Sequence, residues 1–328
     1  MNTYRFRITP RSAFGSRFSG DTLFGQLCWA IRNRLGEQRL VQLLQGYTEG
    51  SPFLVVSDAL PAGHLPRPVL PSHWFSEVGG VDRKEAKKRA WLPLKAFGCP
   101  VSQWLVHCVP ATKLAGAALK PHPQPHNSIN RATNTTGAGF DPYSMEQLWY
   151  GQITKEGGDP EVPQLDLVLI LDESRLTADE LQVVLTDVGT LGFGRDASIG
   201  LGKFEGRAVE PWSLPAQDGA DAWLTLAPCA PQGLAWDEQR CFYQPFTRFG
   251  RHGDIGVHLG NPFKTPVLLA DTGAVLTLGT GPAGGMENRS FIGRGLGGTG
   301  HLSKARGLEG TVHQGYAPMV GIKLPEVA

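Results

Sequence analysis

A glycine-rich segment with two cations, residues 189–206, has the residue types in this sequence that best suit a bound ligand. It holds six glycines, with Arg195, Ser198 and Lys203 among them. Glycine permits positive φ and a close approach of the backbone to a ligand, and turned amides beside cations suit phosphate groups. The segment therefore indicates a phosphate-binding loop. A long connection without any ligand is the alternative that this segment alone leaves open.

Positive charge is concentrated in three segments that lack acidic residues. The net charge is only +1, yet none of the 30 Asp and Glu residues lies in residues 1–20, 86–140 or 288–308. The cations of these segments are Arg5, Arg7, Arg11, Arg17, Lys87, Lys88, Arg89, Lys95, Lys113, Lys120, Arg131, Arg289, Arg294, Lys304 and Arg306. Brought together by folding, such segments would form a groove for a polyanion. Each segment alone is also typical of a solvated surface.

No catalytic or metal-binding set is recognisable. The sequence has no GxxxxGK[ST] and no HExxH motif. The GxGxxG match at residues 293–298 lacks both a helix start and an acidic residue about 20 positions further on. We therefore expect no cofactor and no metal. His301 and His313, near basic residues, could accept the proton of a ribose 2′-hydroxyl, which keeps metal-independent RNA cleavage open as an alternative.

Composition favours a cytoplasmic protein with two domains. The length of 328 residues and a hydrophobic fraction of 41% are sufficient for two packed cores. The five cysteines are scattered without a CxxC pair, which argues against a disulfide framework or a zinc site. No apolar run approaches the length of roughly 18 residues that a membrane helix needs.

The hydrophobic pattern places the glycine-rich segment in a first domain, residues 1–210. Its expected elements are a strand at Tyr4–Thr9, a loop to Gly20, a helix opened by Asp21-Thr22, a second helix at Glu37–Leu44, strands at Pro52–Ser57 and Leu165–Leu171, a helix opened by a capping box at Thr177–Glu180, and a strand at Lys203–Val209. The order β-α-β, insertion, β-α-β matches a ferredoxin-like split βαβ plan.

An insertion at about residues 61–160 interrupts this plan. Its prolines at 61, 66, 68, 71, 121, 123 and 125 argue against sheets and helices, and we expect loops and an extended arm. A basic helix is expected at Asp82–Arg89. After a linker-like stretch at 211–219, residues 220–328 form a second, strand-rich domain.

Five stretches resemble the RAMP proteins of CRISPR systems, and among them the Csm-four subunit (Cas-five-like group) of type III-A effector complexes. They are residues 19–29 (SGDTLFGQLCW), 52–59 (PFLVVSDA), 65–68 (LPRP), 192–204 (GFGRDASIGLGKF) and 316–320 (YAPMV). The resemblance implies an α+β fold of two ferredoxin-like (RRM-like) domains, with a long arm or hairpin inserted in the first. It also implies a non-catalytic antiviral protein in a hetero-oligomeric ribonucleoprotein. That protein would anchor the repeat-derived 5′ tag of the CRISPR RNA beside a large Cas-ten-type subunit and a backbone Csm-three-type subunit.

On this hypothesis, loop amides and cations hold the phosphates of single-stranded RNA, while its bases lie splayed against the sheet and the arm. The expected RNA contacts are Ser16, Arg17, Ser19, Gly20, Arg131, Thr133, Thr136, Gly192, Gly194, Arg195, Ser198, Gly200, Gly202, Lys203, Arg294, Gly297 and Lys304. Two alternatives stay open at this point. One is a metal-independent endoribonuclease of the same superfamily, and the other is a structural adaptor that binds only proteins.

Overall fold

The computed structural model describes residues 1–77, 79, 82–137, 139, 141–154, 159–231, 233, 235–279, 289–298, 302–305 and 307–326. Its sheets are built from antiparallel strand pairs, and its longer helices all lie before residue 192, so the α+β class is confirmed. Among the described residues, no helix is both long enough and apolar enough to cross a membrane.

The elements have the following bounds. The α-helices are α1 (Gly20–Leu35), α2 (Glu37–Leu44), α3 (Arg83–Lys88), α4 (Trp104–His107) and α5 (Ala178–Leu191). The strands are β1 (Asn2–Pro10), β2 (Leu54–Val56), β3 (Leu60–Pro61), β4 (His64–Pro66), β5 (Arg89–Pro93), β6 (Val109–Pro110), β7 (Leu119–His126), β8 (Tyr143–Tyr150), β9 (Ile153–Thr154), β10 (Pro160–Glu161), β11 (Leu165–Leu171), β12 (Phe204–Pro211), β13 (Ala222–Thr225), β14 (Pro245–Arg248), β15 (Val267–Ala270), β16 (Val275–Leu276), β17 (Phe291–Gly293), β18 (Leu296–Gly297), β19 (Val312–His313) and β20 (Tyr316–Ile322). Short 3₁₀ helices lie at Tyr47–Glu49, Ser72–Trp74, Leu94–Ala96, Val101–Gln103, Ala111–Lys113, Ala197–Ile199 and Asp254–His258.

The N-terminal sheet has the strand order β12-β1-β11-β2, with β3 also pairing to β11. This is the order expected of a split βαβ unit. Tyr4, Phe6 and Ile8 alternate along β1 and face a core shared with α1 and α5, as the period of two requires. All seven residues of β11 are buried, because the second face of this central strand is covered as well.

The two predicted helix starts have different outcomes. The capping box forms as expected, with Thr177 Oγ1 accepting from the Glu180 amide and the Glu180 carboxylate accepting from the Thr177 amide. The first helix begins at Gly20 with Ser19 as its N-cap residue, and the expected start at Asp21-Thr22 is wrong. The reason is that the Asp21 carboxylate is buried in contacts with the C-terminal half.

The expectation that prolines keep the insertion out of sheets is also wrong. Residues 119–126 form β7, which pairs with β8 along its whole length. We call this hairpin, β7 and β8 with the described residues between them, the arm. Pro121 pairs with Leu148, whose N–H and C=O both point away from β7 to Phe14. Pro121, Pro123 and Pro125 therefore direct their imide nitrogens to the free edge of β7, where no ladder bond is lost. Pro66, Pro93 and Pro110 likewise lie in the small sheet β4-β5-β6.

The basic helix is confirmed as α3, capped by Asp82.

The C-terminal half is organised differently from the first unit. Its main sheet has the order β16-β13-β20-β17, and no α-helix occurs among its described residues. This order differs from the one that the N-terminal sheet adopts. A second ferredoxin-like domain, and the domain boundaries at 210 and 220, therefore stay predictions.

A buried carboxylate, Asp21, ties the start of α1 to the C-terminal half. It accepts hydrogen bonds from Arg248 Nε at 2.6 Å and Nη2 at 2.8 Å, and from Ser19 Oγ at 2.6 Å. His313 Nε2 lies 3.4 Å away. Burial acts to raise the pKa of Asp21, but His313 and the Arg248 guanidinium outweigh it and hold the pKa well below its ordinary value.

A second buried carboxylate, Asp58, lies at the same junction. It accepts from the Gly20 amide at 2.8 Å, from Arg17 Nη2 at 3.0 Å and from Thr272 Oγ1 at 2.6 Å. Burial raises the pKa of Asp58, and the charge of half-exposed Arg17 offsets this only in part.

An amide side chain completes the junction at the edge strand β2. The Gln314 side chain accepts from the Val56 amide at 2.9 Å and donates to the Val56 carbonyl at 2.8 Å. It forms the two hydrogen bonds that a neighbouring strand would otherwise make with the N–H and C=O of Val56.

The Asp21→Asn variant should lower the free energy of unfolding at pH 7 by about 3–5 kcal/mol, since it leaves the Arg248 charge buried without its partner. The pKa of Asp21 is lowered in the fold, so its contribution is present above the unfolded value of about 3.9 and is lost as the pH falls below it. Urea unfolding of both proteins between pH 7 and pH 3 should show the difference shrinking toward acid pH.

Asp58→Asn is the matched control at the same junction. Because the pKa of Asp58 is raised in the fold, protonation favours the folded state, and the penalty of this variant should grow toward acid pH. Equal pH trends for the two variants would contradict this account of the junction.

Candidate functional site

Five aromatic side chains hold three distant segments together near the end of α5. Phe18 and Phe193 stack with centroids 4.0 Å apart and an interplanar angle of 1°. Phe14 meets Tyr150 of the arm edge-on at 5.2 Å, and Phe204 meets Phe18 at 5.4 Å. The loop after β1, the glycine-rich segment and the base of the arm therefore form one cluster. The sequence reasoning missed these residues, although aromatics flanked by glycine in a loop were a usable signal.

Backbone hydrogen bonds join the same segments. The Gly202 amide donates to the Ala13 carbonyl at 2.7 Å, and the Arg11 amide donates to the Lys203 carbonyl at 2.8 Å. The Gly194 amide donates to Gln26 Oε1 of α1 at 3.1 Å. Several of the amides expected to face a ligand are thus used within the protein.

The glycines of this segment serve its internal packing first. A Cβ at Gly192 would lie 2.2 Å from the Leu201 carbonyl oxygen, and one at Gly202 would lie 2.0 Å from that of Phe193. A Cβ at Gly194 would lie 2.2 Å from Ser16 Oγ, which also accepts from the Arg195 amide. All three have positive φ. Gly200 has positive φ as well, but the space around it is open.

Three of the side chains expected to contact RNA in this segment face outward. Ser198 and Lys203 are exposed, and the Lys203 ammonium has no partner among the residues that the structure describes. The Arg195 guanidinium contacts Asp196 and donates to the Glu146 carbonyl of the arm at 3.0 Å. Arg195 therefore links the segment to the arm while more than half of its side chain remains exposed.

One face of the arm carries aromatic and polar side chains. Opposite residues of an antiparallel pair share a face. One face thus presents Lys120, His122, Gln124, His126, Tyr143, Met145, Gln147 and Trp149, and we call it the stacking face. Trp149 is 48% exposed and Tyr143 53%, and the His126 ring stacks on Tyr143 at 5.1 Å. Such a face suits splayed nucleic-acid bases. The sequence reasoning missed this face because the prolines of residues 121–125 argued against a strand.

The tip of the arm carries three of the expected RNA contacts. Arg131, Thr133 and Thr136 are all exposed there, between β7 and β8. Thr133 Oγ1 is hydrogen-bonded to Thr135 Oγ1, and the Arg131 guanidinium has no partner in the described part of the chain. They lie beyond the clustered base of the arm, along the same hairpin.

The first acid-free segment does not supply free cations. Arg5 pairs with Glu210, Arg7 with Asp166, Arg11 with Glu205, and Arg17 with Asp58 and Asp271. The expected contribution of residues 1–20 to a basic groove is therefore corrected, because neighbouring strands place acids opposite these arginines. Ser19 and Gly20 are buried, and both are bonded within the junction.

The glycines of the late basic loop pack on residues other than those of the aromatic cluster. Gly295 packs on the Tyr47 carbonyl, and Gly297 packs on the Thr311 carbonyl. Arg294 and Lys304 are exposed. Of the two histidines weighed for catalysis, His313 is buried beside Asp21, and His301 lies outside the described residues, as does Arg306.

Solved structures with the same fold come from two assemblies. No known sequence-family profile matches the chain, and no curated protein matches it. A chain of the "Csm1-Csm4 cassette in complex with cA4" aligns with 14% identity over 99% of this chain and all of that one, with a TM-score of 0.57. A chain of the "Csm3-Csm4 subcomplex in the type III-A CRISPR-Cas interference complex" aligns with 12% identity over 98% and 99%, with a TM-score of 0.56. The component common to both is Csm4.

This chain has the Csm4 fold. A further structure of the cassette, with pppApA, gives 14% identity, the same coverage and a TM-score of 0.54. The resemblance read from the sequence is thereby confirmed at the level of the fold.

Alanine at Gly200 and at Gly202 should separate backbone strain from steric clash. Gly200→Ala should cost about 1–2 kcal/mol of unfolding free energy, the price of a left-handed residue. Gly202→Ala should cost another 1–3 kcal/mol or so, because the Phe193 carbonyl must move. Urea denaturation of the two variants measures the difference. Equal costs would show that residues 192–203 do not pack as described.

Proposed function

We propose that this chain is a non-catalytic RNA-binding subunit of a type III-A CRISPR (Csm) interference complex in the cytoplasm. Its task is to anchor the repeat-derived 5′ tag of the CRISPR RNA. It docks a large Csm1-type (Cas-ten-type) subunit and contacts a Csm3-type backbone subunit. The two halves of the chain then act together, the second as the strand-rich ferredoxin-like partner of the first.

The observation that carries this proposal is the fold match along the full chain. Chains with this fold occur in a Csm1-Csm4 cassette and in a Csm3-Csm4 subcomplex, and the alignment leaves out almost nothing of either partner in the comparison. A match that spans the arm and both halves supports the same kind of subunit more strongly than a match of one common domain does.

The RNA-binding part of the proposal is supported by the site itself. Bases would stack on Trp149, Tyr143 and His126 of the stacking face, while Lys203, Arg195 and Arg131 approach phosphates. Ser16 and Ser198 would add hydrogen bonds, and the late loop would meet a separate stretch of RNA through Arg294 and Lys304. Gly20 and Ser19 hold the loop in position from within the junction.

Among the residues that the structure describes, no observation favours the nuclease alternative, and His301 lies outside them. His313 is buried beside Asp21, which makes it a poor general base for a 2′-hydroxyl group.

The test is a binding and cleavage assay with purified chain. The probes are an RNA that carries the 5′ tag of the host's own repeat and the same RNA with the tag deleted. We expect tighter binding of the tagged RNA, and no cleavage with or without divalent cations. Equal affinity for both RNAs would contradict tag anchoring, and cleavage that persists in the purified chain would favour the nuclease.

Lys203→Gln and Arg195→Ala should each remove about one phosphate contact. For single-stranded RNA, the slope of log affinity against log salt concentration should become shallower by about 0.7 in each variant. Trp149→Ala should weaken binding by about 1–3 kcal/mol for a lost stacked base and leave the slope unchanged. Fluorescence anisotropy across a salt series measures both quantities.

Lys323→Gln is the matched control, an exposed cation beside Gly219 in the C-terminal half. It should leave affinity and slope as in the wild type. A change of slope in the Trp149 variant, or none in the Lys203 variant, would reject the assigned roles.

A further inference from the structure

A two-stranded ribbon in the C-terminal half covers the start of α1. We define the ribbon as residues 243–251 and 263–270. It comprises β14 and β15, and a bridge between Arg251 and Phe263 prolongs their pairing. Its inner side is attached firmly, since Arg248 binds Asp21.

The outer side of the ribbon is unusually apolar for an exposed surface. Along the first strand, residues 243, 244, 245, 247, 249 and 251 are exposed, and Phe246 and Arg248 are half-buried. Phe249 is 77% exposed, Phe263 62% and Leu268 58%. Three large apolar side chains exposed on one strand pair indicate a covered surface in the working protein.

The first strand also has an open edge. The Lys264 amide donates to the Gly250 carbonyl and the His252 amide to the Pro262 carbonyl, so the N–H and C=O of Arg251 point away from the second strand. The same parity turns the N–H and C=O of Thr247 and Phe249 outward. Among the described residues, these groups have no hydrogen-bond partner.

The unpaired edge of β7 in the arm is protected against pairing with another strand. On β7, the outward positions 121, 123 and 125 are all proline, which offers no N–H to another strand. On the ribbon only Pro245 does so, and Thr247, Phe249 and Arg251 leave their donors available. The edge of β7 therefore lacks backbone donors, whereas the edge of the ribbon keeps them.

Charge defines what can occupy the open edge. The Arg251 guanidinium lies 5.9 Å from the centre of the Phe263 ring and has no acidic partner among the described residues. Between Glu238 and Asp271 the only acidic residue is Asp254, and its carboxylate is bonded to Asn33 and to the Ile255 amide. A carboxylate of an occupant would therefore meet Arg251 without competition from an acidic residue of the ribbon.

We propose that a protein partner adds an extended segment to this edge. That segment pairs with the backbone at Thr247, Phe249 and Arg251, covers Phe249, Phe263 and Leu268 with alternate apolar side chains, and meets Arg251 with an acidic residue. The proposal rests on the proposed function in one respect: the partner is one of the two subunits, Csm1-type or Csm3-type, with which the chain assembles.

A second copy of this chain and an RNA strand fit the edge less well. Antiparallel self-pairing would bring two rows together that carry arginine and no acid, so the charge would go uncompensated. RNA has no N–H and C=O groups in strand spacing, and the ribbon offers its phosphates a single free cation.

The test measures binding of the full-length chain to each purified subunit, Csm1-type and Csm3-type, by biolayer interferometry. Phe249→Glu should weaken one of the two complexes roughly thirtyfold or more, as the loss of a buried aromatic anchor does. Thr247→Pro removes one outward N–H and keeps the ribbon's own pairing, as the prolines of β7 do. It should weaken the same complex roughly three- to tenfold.

Val41→Glu is the matched control, an exposed apolar residue on α2, and should bind as the wild type does. Circular dichroism melting checks that each variant folds. Photocrosslinking from the Phe249→p-benzoylphenylalanine variant in the assembled complex then identifies the occupant by mass spectrometry.

Weakening of one complex by both variants, with a crosslink to an acidic, apolar segment of that subunit, supports the proposal. Wild-type affinity in either variant, or a crosslink to RNA or to a second copy of this chain, overturns it while the proposed function stands. A wild-type chain that binds neither subunit overturns the proposed assembly and this docking edge together.

Discussion

The aromatic cluster at the end of α5 is the constraint on which the candidate site depends. Phe14, Phe18, Phe193, Phe204 and Tyr150 come from segments up to 190 residues apart in the chain, and each ring is largely hidden from solvent. Because these rings pack against one another, the loop after β1, the glycine-rich segment and the arm hold fixed positions relative to the sheet. The exposed side chains of the site owe their relative placement to this packing.

The N-terminal unit was accessible from the sequence because its signals are local. Alternation along β1, the capping box of α5 and the apolar run of β11 each act within about ten residues, and the sheet order follows from the βαβ plan. The arm was not accessible in the same way. A proline excludes a strand only where its nitrogen must donate, and the side to which a strand turns its nitrogens depends on its neighbour.

The fold gives the arginines of the first segment and two of the glycines internal partners that the sequence pattern did not indicate. Arg5, Arg7 and Arg11 stand in an acid-free segment, yet strands β11 and β12 bring Asp166, Glu205 and Glu210 beside them. The glycines at 192 and 202 were attributed to a ligand, whereas the carbonyls that approach them belong to the protein. Both effects arise from residues close in space and distant in sequence, which a single sequence does not reveal.

The side-chain amide of Gln314, which stands in for a strand beside Val56, has a consequence for how this protein is made. Val56 at the edge of β2 is synthesised some 260 residues before Gln314, its hydrogen-bond partner. Asp21 and Asp58 likewise gain their partners Arg248 and Thr272 only after about 200 further residues have been synthesised. At translation rates of about 5–20 residues per second, the N-terminal sheet stays open at this edge for tens of seconds or less. During that interval the N–H and C=O of Val56 lack the Gln314 amide, and the junction is completed only after residue 314 has been synthesised.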